Sequence, residues 1–165
     1  MSVLYVICGP AGVGKSTYGK KLAKEIGACF LDSDTLSESV VCAGMKLNGL
    51  DPNDRDSPVY REVFRDAVYE CLFATADENL PQLDVILVGP FTSEIQNARF
   101  PEQLAARFGV EVKVIFVTCE EALRKSRIEK RANPRDEWKL RDWNAYIDSS
   151  SISPPACDHE CIETS

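Results

Sequence analysis

Residues 9–17 read Gly9-Pro10-Ala11-Gly12-Val13-Gly14-Lys15-Ser16-Thr17, directly after the apolar run Val3-Leu4-Tyr5-Val6-Ile7-Cys8. A buried strand running into a glycine-rich turn and then a helix is the context of a phosphate-binding P-loop. Glycines at 9, 12 and 14 let the chain turn without a Cβ in the way. The backbone N–H groups of residues 11–16, including those of Ala11, Gly12 and Val13, then form a nest for a polyphosphate at a helix N-terminus. Lys15 is spaced to reach the β- and γ-phosphate oxygens. The Ser16 hydroxyl is spaced to bind Mg²⁺, and Thr17 to back up the phosphate contacts.

Outward from this loop the pattern alternates strand and helix. A helix from Lys15 to about Ile26 closes at Gly27. Further strands are predicted at 28–31, 84–88, 110–117 and, weakly, 159–163. Apolar runs separated by helices predict an α/β, three-layer fold with a five-stranded parallel sheet covered on both faces. Ser57 and Pro58 read as N-cap and first residue of a helix over 58–79, with Val59, Val63, Phe64, Ala67, Val68, Cys71, Leu72 and Ala76 on its apolar face. A short helix is expected at 101–108 before Gly109. Thr118 and Glu121 suggest a capping box for a helix over 119–131. Leu140, Trp143 and Ile147 mark a last helical face, and 149–155 reads as a loop. The polar stretch 34–57, with Gly44, Gly49 and Pro52, reads as a mobile flap over a substrate.

With 165 residues, one domain over 1–165 is expected. An apolar fraction of 44% and a charged fraction of 27% suit an ordinary soluble protein. No apolar run approaches the ~18 residues of a membrane span. The chain opens on a strand rather than a leader, so a cytoplasmic location is expected. A net charge of −7, with no lysine-rich stripe, argues against a long nucleic-acid partner. Seven cysteines, several inside apolar elements, read as reduced buried thiols. Cys157, His159 and Cys161 are not spaced as paired metal ligands. A monomer or weak dimer is expected.

Leu31-Asp32-Ser33-Asp34 follows the second strand. The carboxyl ends of parallel strands share one edge, so both aspartates should face the P-loop. Asp32 is expected to support Mg²⁺, and Asp34 to accept the proton of an attacking hydroxyl. The alternative for Asp34 is a helix cap. The third strand, Val85-Ile86-Leu87-Val88, runs into Gly89-Pro90-Phe91 without an acid. That favours transfer to a bound hydroxyl over hydrolysis. Arg124, Arg127, Arg131 and Arg135 follow the fourth strand. Arg127 and Arg131 are expected to close over the triphosphate, whereas Arg124 reads as part of a solvated face.

These features resemble the small P-loop kinases, the group of shikimate kinase, gluconate kinase and the nucleoside monophosphate kinases. Phe30-Leu31-Asp32-Ser33-Asp34 is similar to their D-x-D, and Arg127-Ile128-Glu129-Lys130-Arg131 to their paired-arginine lid. Residues 53–61, 90–94 and 135–143 resemble zeta-toxin-like ATP-binding proteins of the AAA group over nearly the whole chain. The resemblance implies strand order 2-3-1-4-5, ATP and Mg²⁺ as cofactors, and Asp34 as base or acceptor-binding residue. It implies Arg127 and Arg131 as lid arginines, within a lid over 124–138 and a substrate-covering helical region over 34–80. After the third strand the chain departs from the shikimate kinase pattern.

The expected acceptor pocket comprises Asp34, Arg55, Asp56, Arg61, Phe91, Glu94 and Arg99. Its mixed charge suits a small hydroxylated molecule. The leading expectation is a phosphotransferase moving the γ-phosphate of ATP to such a hydroxyl. The alternative is a nucleotide-binding switch or slow ATPase that regulates a partner protein.

Overall fold

The apolar runs pair side by side. In this computed structural model, which describes residues 1–150 and 153–165, strands β1 (Val3–Cys8), β2 (Cys29–Asp32), β3 (Val85–Val88), β4 (Glu111–Thr118) and β5 (Glu160–Glu163) form one sheet in the order β2-β3-β1-β4-β5. Every pairing is parallel. The strand period of two sends Leu4, Val6 and Cys8 to one face and Tyr5 and Ile7 to the other. All four residues of β3 are buried, as a strand covered on both sides requires.

Helix α1 (Lys15–Ile26) covers one face. Gly19 admits this packing, because a Cβ there would stand 2.9 Å from both the Phe30 ring and Val88. On the other face α2 (Ser33–Leu47) leads through a polar loop to a short turn, α3 (Pro58–Tyr60). A π-helical turn (Arg61–Arg65) joins it to α4 (Asp66–Asn79), and α5 (Phe100–Phe108) follows β3. Beyond β4 come α6 (Glu121–Arg131), a 3₁₀ turn (Pro134–Asp136), α7 (Glu137–Arg141) and α8 (Trp143–Ser149). Ile128, Trp143 and Tyr146 form a small core of their own there, against Ala11 of the P-loop. Among the described residues no helix is long and apolar enough to cross a membrane.

Four local expectations need correction. The flap over 34–57 is largely the helix α2: Asp32 caps it, accepting from the N–H groups of Asp34 and Thr35. Gly44 does not break this helix, because the Phe64 ring packs where its Cβ would be, 2.9 Å away. Only the stretch after α2 is a loop, turned by Asp51 Oδ1 (from Asn53 N) and Asp54 Oδ1 (from Asp56 N and Ser57 N).

Secondly, the helix predicted over 58–79 starts as expected, with Ser57 Oγ accepting from Tyr60 N, but its apolar face is rotated. Tyr69, Leu72, Phe73 and Ala76 are buried, while Val59 and Val63 are exposed. An extra residue in the π turn breaks a 3.6-residue count carried straight through, and the two large rings bury more apolar surface than Val68 and Cys71 would.

Thirdly, Thr118 ends β4 and caps nothing; Glu120 precedes α6 without a side-chain cap, and the Glu121 carboxylate accepts from Trp143 Nε1. Finally, the last helical face is split between α7 and α8 at Asp142, whose carboxylate caps α8 through Ala145 N. Of the loop expected over 149–155, residues 151 and 152 lie outside the described residues.

All seven thiols are free. Cys8 and Cys157 are buried, and burial pushes the Cys8 thiol up to about 12, so it serves as a small apolar side chain. Cys71 and Cys161 are exposed.

Candidate active site

Strand register brings the carboxyl ends together: Asp32 and Ile7 both pair with Val88, and Cys8 pairs with Phe116. A cleft of about 1720 Å³ opens along this edge, roomier than the several hundred Å³ that hold one small ligand. The P-loop forms its floor. Gly9, at φ 134°, lies so close to β4 that a Cβ would stand 2.3 Å from the Val117 carbonyl oxygen. Gly12, at φ 84°, leaves room for the Ile128 side chain and the Arg124 carbonyl. Gly14, also left-handed, starts α1, whose free N–H groups face the cleft.

Lys15 folds over this loop and donates to the Pro10 carbonyl at 2.7 Å. Burial pushes its ammonium down to about 8, against the opposing pull of the Asp34 and Asp32 carboxylates. The Ser16 hydroxyl donates to Asp32 Oδ2 at 2.5 Å, while Asp32 Oδ1 caps α2. The capping role weighed for Asp34 therefore belongs to Asp32. Asp34 has its carboxylate in the cleft, within the fork of Arg135: Nη2 to Oδ2 at 2.8 Å and Nη1 to Oδ1 at 3.3 Å. Partial burial works to raise its carboxyl. The hydrogen bonds and charge of Arg135, with the charges of Lys15 and Arg131, outweigh that and hold it below the ordinary carboxylate range.

The arginine arm divides its labour. Arg124, expected on a solvated face, is only 9% exposed. Its Nε donates to the Ala11 carbonyl and its Nη2 to the Tyr146 hydroxyl, both at 2.8 Å, with the guanidinium against the Trp143 and Tyr146 rings. It braces the P-loop from behind, where burial is affordable only with its donors satisfied. Arg124→Ala is expected to lower the melting temperature by about 5–10 °C, the result of losing roughly 2–3 kcal/mol of charged hydrogen bonding and packing, and to weaken nucleotide binding. Thermal unfolding with and without ATP reads both.

Arg127 lines the cleft and donates to the Val13 carbonyl, Thr164 Oγ1 and the Ser165 carbonyl. Arg131 also lines it, with its Nε on the buried carboxylate of Asp136, which Lys139 Nζ reaches at 2.9 Å. The Asp136 carboxyl lies below its ordinary range: burial would raise it, but the hydrogen bonds and charges of Arg131 and Lys139 prevail.

The expected acceptor pocket is only partly assembled. Arg55, Asp56 and Arg61 line the cleft. Arg55 is spent on the Pro52 and Asp54 carbonyls and on Glu38, and it stacks on Tyr60. Phe91 is a correction: it is fully buried, ring to ring with Tyr69 at 5.0 Å and near Phe100. Its φ of 46° is held by its N–H bonding to the Tyr69 hydroxyl. An aromatic ring two residues beyond a buried strand is drawn inward by the core. Glu94 is a second correction: its carboxylate is outside the cleft lining and pairs with Arg65 at 2.8 Å. Arg99 pairs with Glu102 on the surface.

Sequence reasoning gave no role to Glu38, Tyr60, Arg65 or Trp138, and none of its own to Arg135. The signal available was Asp34 and Glu38 four apart on one helix face opposite a surplus of arginines.

Comparison with known proteins gives the family and the fold. A family model described as AAA domain matches residues 4–151. The chain belongs to that AAA-domain family. It is 31% identical over 104 residues to a bifunctional pantoate ligase/cytidylate kinase of Synechococcus elongatus, covering 62% of this chain and 19% of that protein. It is 38% identical over 69 residues to a shikimate kinase of Corynebacterium efficiens, covering 42% of this chain and 39% of the relative. The chain therefore spans only a minor part of the curated relatives it matches. A solved protein of inferred kinase function from Chloroflexus aurantiacus superposes with a TM-score of 0.67 at 18% identity, over 99% of this chain and 84% of that one. At that identity the likeness concerns the fold, which is that of the small P-loop kinases.

Proposed function

We propose that this AAA-domain protein is an ATP- and Mg²⁺-dependent phosphotransferase that moves the γ-phosphoryl group to a hydroxyl of a small polar molecule. One observation carries the reading: the Asp34 carboxylate shares a cleft with the P-loop lysine, in a space large enough for a nucleotide and a second ligand. The residues present fit both cofactors. The glycine cradle leaves backbone N–H groups free for phosphates, and the Ser16–Asp32 pair is a hard oxygen donor set suited to Mg²⁺. When bound, Mg²⁺ would neutralise charge on the β- and γ-phosphate oxygens, with Ser16 and Asp32 as its holders.

The chain's own residues supply the rest. Lys15 leaves the Pro10 carbonyl for phosphate oxygens. Asp34 accepts the proton of the acceptor hydroxyl, whose oxygen attacks the γ-phosphorus as the bond to the bridging oxygen breaks. Arg127 and Arg131, within a lid over 124–138, spread the charge of the transferring group. The helical region 34–80 covers the acceptor, and Arg61 is available to bind it. The protein works as a cytoplasmic monomer or weak dimer.

A second acceptor class deserves the same trial. The relative carrying a cytidylate kinase part, together with Arg61 and Arg65 in the cleft lining, favours including nucleoside monophosphates. ATP turnover is measured against polyols, sugar acids, nucleosides, aminoglycosides and nucleoside monophosphates. Stimulation by one of them supports transfer and names its class. Slow hydrolysis that no acceptor raises but a partner protein alters would establish the regulatory switch instead.

The depressed Lys15 ammonium sets a pH dependence. In the free protein it is protonated below about pH 8. Above that the site must take up a proton to bind the triphosphate, so ATP affinity falls progressively as pH rises. Calorimetric titration between pH 6.5 and 9.5 should show this fall, accompanied by proton uptake on the alkaline side.

A further inference from the structure

Helix α6 ends at Ala132, whose φ of 45° turns the chain sharply. Asn133-Pro134 then opens the 3₁₀ turn. Asn133 Oδ1 accepts from Arg135 N, and the Asn133 carbonyl accepts from Asp136 N at 2.8 Å. This reversal carries the Asp136 side chain back beneath Arg131. The carboxylate is only 1% exposed and lies outside the cleft lining, so a ligand in the cleft does not reach it. Each of its oxygens takes one cation: Oδ2 accepts from Arg131 Nε at 2.5 Å, and Oδ1 from Lys139 Nζ at 2.9 Å. A buried carboxylate needs such partners. Two cations on one anion also leave net positive charge at the cleft, so Asp136 does not cancel the charge of Arg131 toward an anionic ligand.

The Arg131 guanidinium is held by its Nε edge alone. Among the described residues its Nη groups donate to nothing in the protein, and the side chain lines the cleft. Its charge acts on both Lys15 and Asp34, so it stands near the space between the phosphate floor and the expected base. Arg127 differs, because both of its Nη groups are engaged, by Val13, Thr164 and Ser165. We propose that Asp136 is a positioning residue that grips Arg131 from behind, so that its free Nη groups meet the terminal phosphate of ATP. The inference rests on the reading of Arg131 as a lid arginine of an ATP-dependent phosphotransferase. A guanidinium is planar and rigid, so a hold on one edge aims the other donors. The consequence is a preference for ATP over ADP that depends on a residue touching neither nucleotide.

Calorimetric binding of Mg²⁺ with ADP, and with the imido analogue of ATP that cannot be hydrolysed, tests this without an acceptor. An amide offers one oxygen where two cations need one each. Asp136→Asn should therefore weaken binding of the ATP analogue about tenfold, the scale of one charged hydrogen bond, and leave ADP affinity within about twofold. Arg131→Ala should lose at least as much, and adding Asp136→Asn to it should cost nothing further, since the aimed group is already gone. Asp136→Glu keeps the charge and should show a preference between the native and the asparagine values. The two tryptophans, Trp138 and Trp143, lie on the helices that follow the turn, so their emission reports whether the lid is intact. It should be unchanged in Asp136→Asn.

A native preference in Asp136→Asn overturns the inference. So does an equal loss for both nucleotides, a loss accompanied by shifted tryptophan emission, or a further loss in the Arg131→Ala background. Should Asp136→Asn fail to fold, Asp136→Glu decides: a lowered preference at native ADP affinity supports the inference, and a native preference overturns it. A native preference in Arg131→Ala removes the role of Arg131 and that of Asp136 with it. Failure of the native protein to bind either nucleotide overturns the phosphotransferase reading itself.

Discussion

Replacing Asp34 by asparagine should reduce phosphoryl transfer by about two to four orders of magnitude, the usual contribution of a positioned general base, and leave ATP affinity nearly unchanged. The side chain keeps its shape and can still accept a hydrogen bond from Arg135, so the lid contact is weakened rather than erased. The P-loop is untouched, because the cap of α2 and the partner of Ser16 are both Asp32. Two measurements separate the effects: turnover with the acceptor found by screening, and calorimetric ATP binding. Near-native turnover would remove Asp34 from the mechanism. Lost ATP binding would mean that its charge supports the phosphate site instead.

The second large effect concerns stability. Gly9→Ala places a methyl group 2.3 Å from the backbone oxygen of Val117, at a φ of 134° that side chains rarely adopt. Nothing flexible can give way, since the obstacle is main chain of β4, a strand paired on both sides. Strain of about 1–3 kcal/mol from the backbone conformation, and a similar amount from overpacking, add at this one position. The expected result is a loss of roughly 2–5 kcal/mol in denaturant unfolding, with ATP binding lost even where the fold survives. Gly27→Ala is the contrast: no atom lies within 4 Å of its would-be Cβ, so only the cost of its positive φ is felt. A native-like unfolding midpoint for Gly9→Ala would show that the loop can shift away from β4.

The family match and the parallel order β2-β3-β1-β4-β5 agree with the reading made from the P-loop, the D-x-D and the arginine arm. Legibility was high where information is local. Val3–Cys8 followed by glycines at 9, 12 and 14 encodes a strand, a turn with φ above zero and a helix start within about fifteen residues. It failed where a local cue served a distant purpose. Gly44 reads as part of a mobile flap, but it lies inside α2 and makes room for Phe64. Phe91 looked like a pocket wall next to a substrate strand but fills the core under Tyr69.

The sequence by itself determined the strand-and-helix alternation, the phosphate loop and the meeting of Asp32 and Asp34 with it, because spacing along the chain and the shared edge of parallel strands dictate all three. Only the tertiary structure decided which arginine does what. Arg124 reaches Ala11 across 113 residues and Arg135 reaches Asp34 across 101. On a helix or turn seen alone, these side chains are interchangeable cations. Burial against a carbonyl in one case, and a forked carboxylate across an open cleft in the other, exist only after the lid has packed on the sheet.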